Sequence, residues 1–117
     1  MKKWLVAATL TGMIASGGAV AASGNEFLEE CKNIDNTAYN NSFGTGFCLA
    51  TMHTVLALMM GLKNSLPEQL RLCVPAPVTV GQAVKITVKY MQEHPELLHK
   101  DAVALTLMAL QDAYPCE

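Results

Sequence analysis

Four cysteines in a chain of 117 residues are the feature that most constrains how this sequence can fold. They are Cys31, Cys48, Cys73 and Cys116. An even number of cysteines in a short exported chain is typical of a disulfide framework. No Cys-x-x-Cys pair occurs, so a zinc site is disfavoured. We therefore predict two disulfides, and neither a metal ion nor another cofactor.

The N-terminus has the order of a secretory signal. Lys2 and Lys3 supply the positive charge, Trp4 to about Ala15 is apolar, and small residues follow up to Ala19-Val20-Ala21. We predict that residues 1–21 are a cleavable signal peptide, with cleavage after Ala21 or Ala22. An uncleaved membrane anchor over Trp4 to Ala22 is the rival interpretation, but Gly12, Gly17 and Gly18 lie within that stretch and no stop-transfer charges follow it.

Charge and composition narrow the class of protein that the remaining residues can form. Hydrophobic residues make up 51% of the chain and charged residues 15%, which excludes intrinsic disorder. Removing Lys2 and Lys3 from the eight basic residues leaves six against ten acidic ones, a mature net charge of −4. This acidic balance argues against nucleic-acid binding. We predict an exported protein with no membrane contact after signal cleavage.

The cysteine pairing has three possibilities, and sequence alone does not choose among them. The order of the predicted helices gives a preference. Cys31 ends one helical segment and Cys48 begins the next, so a hairpin would bring them together. Cys73 precedes a third helix and Cys116 follows a fourth, and antiparallel packing of that pair would join them. We predict Cys31–Cys48 and Cys73–Cys116.

Four helices are predicted by apolar spacing and capping residues. Residues 24–33 form a short first helix that Asn25 could cap. After a loop at 33–46, residues 47–62 are apolar on nearly every side, which is typical of a helix at the buried centre of a bundle. A loop at 63–77 contains three prolines and a possible helical turn at 68–72. Thr79-Val80-Gly81-Gln82 is a capping box opening a helix to about Glu93, and the last helix covers 101–114. The predicted fold is all-α, one small helical bundle at 22–117 with two disulfides.

Residues that could carry chemistry are few. His94 and His99 flank Pro95-Glu96 and fit a turn between helices better than an acid–base pair, because no third group is evident. His53, in the most apolar helix, is interpreted as a core or interface residue. Met52, Met59 and Met60 on the same helix belong to the core or to an adaptable interface. No G-x-S-x-G motif, no paired Cys/His signature and no H-E-x-x-H motif is present, so we do not expect an enzyme.

The segment from Gly46 to Cys116 resembles the Rap/Tai family of immunity proteins of bacterial type VI secretion. The matching pieces, in chain order, are Gly46-Phe47-Cys48-Leu49, Cys73-Val74-Pro75, Val78-Thr79-Val80-Gly81-Gln82, Val88-Lys89-Tyr90-Met91, His94-Pro95-Glu96-Leu97-Leu98-His99, Ala109-Leu110 and Ala113-Tyr114-Pro115-Cys116. The sequence departs from the family after the second cysteine, where Ala50-Thr51-Met52-His53 replaces a G-Y-type pattern.

The resemblance implies a periplasmic helical protein, often a homodimer, that binds a secreted peptidoglycan amidase and blocks its active site. The loop 63–72 is our first candidate for the inhibitory surface, and the start of the third helix is the second. The candidate contacts are Asn64, Ser65, Glu68, Arg71, Gln82 and Lys85. Two other classes stay open, a periplasmic acid-stress chaperone and a structural or assembly subunit of an envelope complex.

Overall fold

The computed structural model describes residues 22–35 and 42–117, and the predicted signal peptide at 1–21 lies outside the described residues. The described chain is an all-α bundle of four helices, which confirms the predicted fold class. They are α1 (Gly24–Cys31), α2 (Ser42–Gly61), α3 (Val80–Glu93) and α4 (Ala102–Ala113). Three short 3₁₀ turns lie between them, at Lys63–Ser65, Glu68–Leu70 and Pro95–Leu97.

Helix α1 begins through a capping box at Ser23, so the predicted cap at Asn25 is wrong. The Ser23 hydroxyl accepts a hydrogen bond from the Glu26 backbone N–H, and the Glu26 carboxylate accepts one from the Ser23 N–H. This reciprocal arrangement satisfies two N–H groups that the helix itself leaves unpaired. Asn25 lies one residue inside the helix, where its side chain cannot take that role.

The start of α1 is fixed to the start of α4. The Ala102 N–H donates to the Ala22 carbonyl at 2.8 Å, and the Gly24 N–H donates to the Lys100 carbonyl at 2.9 Å. A side-chain carbon on Gly24 would meet the Leu105 side chain and lie 3.0 Å from the Leu98 carbonyl oxygen. A larger residue here would therefore require the Leu105 side chain and the Leu98 main chain to shift, which favours glycine.

Helix α2 differs from its prediction in two ways. It begins at Ser42, five residues before Phe47, because tertiary contacts outweigh the weak helix propensity of its glycines. Phe43 stacks on Phe47 one turn later, and Phe47 packs on Phe27 of α1 with ring centroids 6.1 Å apart. The helix is also not the buried centre of the bundle, since only 22% of the span Phe43–Gly61 is buried.

Helices α3 and α4 follow the predicted boundaries closely. The Thr79 hydroxyl caps α3 by accepting from the Gln82 N–H at 3.0 Å, as predicted. The reciprocal half of that box is replaced, because the Gln82 side chain donates to the Tyr114 hydroxyl instead. Asp101 caps α4 by accepting from the N–H groups of Val103 and Ala104.

The core lies where the four helices meet. Its fully buried large side chains include Phe27 from α1, Met52 from α2, Met91 from α3 and Leu110 from α4, with Leu72 entering from the loop. Both predicted disulfides are present. Cys31–Cys48 is itself part of the core and holds α1 on α2, whereas Cys73–Cys116 lies nearer the surface and joins the loop before α3 to the end of α4. Small domains depend on such links because their cores are small.

Candidate interaction surface

The described residues contain no group of three or more histidines, cysteines or carboxylates that could hold a metal ion. The three histidines occupy different positions in the fold and have different contacts. His94 ends α3, stacks on Tyr90 and has its Nδ1 2.7 Å from the Tyr90 carbonyl oxygen, so it belongs to the turn between α3 and α4 as predicted. His99 is exposed, and His53 is exposed on α2, so the core interpretation of His53 is wrong. Two exposed surfaces that could contact a partner lie on the loop after α2 and on one side of α2.

The first candidate surface is the loop that follows α2, residues 62–72, here called the α2–α3 loop. It consists of two consecutive 3₁₀ turns, and hydrogen bonds between its own residues hold its shape. The Ser65 N–H donates to the Leu62 carbonyl at 2.8 Å, and the Arg71 Nε donates to the Leu66 carbonyl at 2.9 Å. The loop thus has a defined shape although most of its side chains face solvent.

Three contacts fix the α2–α3 loop to the rest of the bundle. Leu72 at its end is fully buried, and the next residue, Cys73, is joined to Cys116. The Gln111 side chain of α4 donates to the Gln69 carbonyl at 2.8 Å. A loop held in this way loses little conformational entropy when a partner binds it.

The candidate contacts that the sequence predicted on the α2–α3 loop differ in their exposure to solvent. Asn64, Ser65 and Glu68 are exposed on the α2–α3 loop and are available to a partner. Arg71 is half-buried, and its guanidinium holds the loop closed, so it shapes the surface more than it offers a contact.

The two candidates on α3 lie outside the loop. Gln82 is exposed and donates to Tyr114 at 3.5 Å, near the Cys73–Cys116 link that anchors the loop. Lys85 forms an ion pair with Asp35 at 2.9 Å. Lys85 and Asp35 line a groove of about 200 Å³ between the end of α1 and α3, together with Lys89. Because both charges are well exposed, solvent screens the pair and it adds little to stability.

Sequence reasoning missed two apolar residues of the α2–α3 loop. Leu62, at the start of the loop, is 48% exposed, and Leu70, two residues before its end, is 47% exposed. The buried core of a protein interface is more apolar than its polar rim, so exposed leucines among polar residues can form such a core. The signal that could have found them was the presence of four leucines in the loop, of which only Leu72 is fully buried.

A second exposed surface runs along α2 and is here called the α2 outer face. Its large members are Phe43, Leu49, Leu58 and Met60, which are 73%, 37%, 56% and 43% exposed. Its small and polar members are Gly46, Ala50, His53, Thr54 and Ala57, all exposed. The buried side of the same helix is narrow and carries Cys48, Met52 and Val55. An exposed apolar face of this length marks an interaction site in soluble proteins.

Comparison with known proteins identifies the family. Searches of curated proteins and of solved structures give no match. The family model of the Rap1a immunity proteins matches residues 23–116, which includes all four helices and both disulfides. The match covers most of the chain and confirms the resemblance seen in the sequence. This chain therefore belongs to the Rap1a immunity protein family.

Proposed function

We propose that this protein is a periplasmic immunity protein that binds a type VI secreted peptidoglycan amidase and blocks its active site. The observation that carries the proposal is the family match over residues 23–116. Membership of the family indicates immunity against a secreted effector, and such proteins are generally not enzymes. The amidase as target, the periplasm as location and a homodimeric state are parts of the proposal.

Two features support export to the periplasm. The N-terminal sequence has the charge, apolar segment and small residues of a secretory signal. The four cysteines of the described chain are all paired, and disulfides persist in an oxidising compartment such as the bacterial periplasm. A peptidoglycan amidase attacks its substrate in that same compartment, so an inhibitor must be present there to protect the cell.

The proposed mechanism is steric. The α2–α3 loop enters the cleft of the amidase and keeps the cell-wall peptide away from the catalytic cysteine. Leu62 and Leu70 supply apolar contact area, while Asn64, Ser65 and Glu68 supply hydrogen bonds and charge. Because Arg71 and the Cys73–Cys116 link already hold the loop, binding does not need to order it.

Inhibition of purified amidases tests the proposal. The oxidised mature protein is titrated against a panel of secreted peptidoglycan amidases while peptidoglycan cleavage is measured. We expect stoichiometric loss of cleavage with at least one amidase. An absence of binding to every amidase of the panel would contradict the proposed target, and an acid-stress chaperone assay would then be the next measurement.

Two matched variants test the α2–α3 loop as the inhibitory surface. Glu68 and Glu96 are both exposed glutamates in 3₁₀ turns, but only Glu68 lies on the loop. Glu68→Arg should weaken inhibition at least about tenfold, which corresponds to about 1.4 kcal/mol. Glu96→Arg should leave it unchanged. If Glu68→Arg and Leu70→Glu both inhibit like the wild type, the loop is not the inhibitory surface.

A further inference from the structure

We propose that the groove between the end of α1 and α3 binds an extended acidic segment of a partner protein. This groove, here called the α1–α3 groove, lies between residues 31–35 and the α3 face of Lys85, Val88, Lys89 and Gln92, and its volume is about 200 Å³. None of its lining residues belongs to the α2–α3 loop, so the inference goes beyond the proposed mechanism of inhibition and does not depend on it.

The first observation is a concentration of positive charge on an acidic chain. Residues 22–117 contain six basic and ten acidic residues. Three of the six basic residues, Lys32, Lys85 and Lys89, line the α1–α3 groove. Among the described residues, one carboxylate lines it as well, that of Asp35. The groove is therefore locally positive on a chain whose net charge is −4, so it attracts an anionic ligand.

The second observation is that a carboxylate of the chain itself already occupies part of the groove. Asp35 Oδ2 lies 2.9 Å from Lys85 Nζ. The two side chains are 71% and 57% exposed, so the pair adds little to stability and can be exchanged for another pair at low cost. Asp35 thus shows which chemical group the groove accepts, and a carboxylate of a partner can replace it.

The other two lysines of the groove are also held only by exposed ion pairs. Lys32 lies 2.9 Å from Glu29, and Lys89 lies 3.9 Å from Glu93. Neither glutamate lines the groove. Because pairs of this kind contribute little, both ammonium groups can turn towards a ligand at low cost.

The third observation is the spacing of the charges along α3. Lys85, Val88, Lys89 and Gln92 follow one another at i, i+3, i+4 and i+7, which places them on one face of the helix. Residues at i and i+4 are about 6 Å apart on a helix surface. Alternate residues of an extended peptide are about 6.6 Å apart and point to the same side. Carboxylates at alternate positions of an extended segment therefore match Lys85 and Lys89.

The floor of the groove limits the size and the character of the ligand. Cys31 is fully buried, Val88 is almost fully buried and Ile34 is half-buried, so the floor beneath the charges is apolar. Sites that combine an apolar floor with a few polar groups bind ligands of mixed character. A volume of about 200 Å³ holds side chains rather than a second helix. The ligand is therefore an irregular segment that carries acidic and apolar residues together.

An anionic membrane is a less suitable occupant. Recognition of anionic lipid uses clusters of about four to eight basic residues, whereas this groove has three. A flat bilayer also cannot enter the groove to reach Val88 and Ile34 on its floor. An extended peptide can reach both the lysines and the floor.

Titration of the oxidised mature protein with an acidic peptide, followed by NMR, tests the inference. The probe is acetyl-Glu-Leu-Glu-Leu-Glu-amide, and its control carries Gln in place of each Glu. We expect saturable shifts of the backbone amides at 31–35 and 85–92 with the acidic peptide, weaker as salt is raised, and none with the control. Absence of saturable shifts at low salt, or shifts concentrated outside these two ranges, would overturn the inference.

Two double variants of equal net charge separate the groove from general attraction. Lys85→Gln/Lys89→Gln removes two lysines of the groove, and Lys63→Gln/Lys100→Gln removes two exposed lysines elsewhere. The first should bind the acidic peptide at least about tenfold more weakly, and the second should bind it like the wild type. Equal binding by both variants, with the circular dichroism of the wild type, would show unspecific attraction and overturn the inference.

A single variant tests the role of Asp35 as a stand-in for the ligand. Asp35→Asn should bind the acidic peptide about two- to fivefold more tightly, because Lys85 no longer has an internal partner to give up. No gain in affinity would contradict that role.

Two other ligands distinguish a protein segment from other sources of negative charge. Free glutamate should bind more weakly than the peptide, because it lacks the spaced carboxylates and the apolar residues. Vesicles of phosphatidylglycerol should not carry the protein to the top of a flotation gradient. Glutamate that binds as tightly as the peptide, or flotation that Lys85→Gln/Lys89→Gln abolishes, would overturn the proposed occupant.

Discussion

Removing the Cys73–Cys116 link should lower the free energy of unfolding by about 4 kcal/mol. The bond spans 43 residues, and the chain-entropy relation for a loop of that length gives this value at 25 °C. Cys73 is half-buried and Cys116 is exposed, so alanines at both positions leave no buried void. The loss therefore comes almost entirely from the greater freedom of the unfolded chain.

The loss is large compared with the roughly 5–15 kcal/mol that stabilises a typical domain. For a domain of this size it corresponds to a fall in Tm of roughly 15–30 °C. Urea unfolding of Cys73→Ala/Cys116→Ala followed by circular dichroism measures it. The m-value should also rise, because the unfolded chain without the link exposes more surface.

The other disulfide provides the control. Cys31–Cys48 spans 17 residues, for which the same relation gives about 3 kcal/mol. Both cysteines are fully buried, so Cys31→Ala/Cys48→Ala also loses core packing and should cost roughly 4–5 kcal/mol in all. A loss below about 1 kcal/mol for Cys73→Ala/Cys116→Ala, with an unchanged m-value, would refute the entropic reasoning.

Three further substitutions, and one control, have expected outcomes that thermal or urea unfolding measures. Gly24→Ala should destabilise the protein by roughly 1–3 kcal/mol, because the added carbon meets Leu105 and the main chain; an unchanged stability would show that this contact yields easily. Thr87→Val should stabilise by about 1 kcal/mol, since the buried Thr87 hydroxyl has no hydrogen-bond partner among the described residues. Destabilisation would indicate a bound water there. Asp101→Ala should cost about 1–2 kcal/mol through loss of the α4 cap, whereas the exposed Asp35→Ala should cost less than about 1 kcal/mol.

The sequence predicted those parts of the fold that depend on local chemistry. Thr79 was predicted as a cap from the T-x-x-Q pattern and does cap α3. Asp101 was predicted as the first residue of the last helix, and it stands one position before that helix and caps it. The helix order alone favoured the disulfide pairing, because consecutive helices in a small bundle pack antiparallel and bring their adjoining ends together. The family followed from motifs spread along the same segment that the family model matches.

Tertiary structure decided which surface of each helix is covered. The sequence of α2 is apolar on nearly every side, and such a pattern cannot show how many neighbours the helix has. Only the packing reveals that Cys48, Met52 and Val55 are buried while Phe43 and Leu58 face solvent.

The same limit applies to side chains whose role depends on a distant partner. The sequence offers Arg71 as a free contact, but the structure uses it to close the α2–α3 loop. Gly24 appears as an ordinary first residue of a helix until Leu98 and Leu105 are brought against it. Local order along the chain determines caps, helices and disulfide partners, because these depend on neighbouring residues. Exposure and contact between distant residues depend on the packing of all four helices, and only the folded structure shows them.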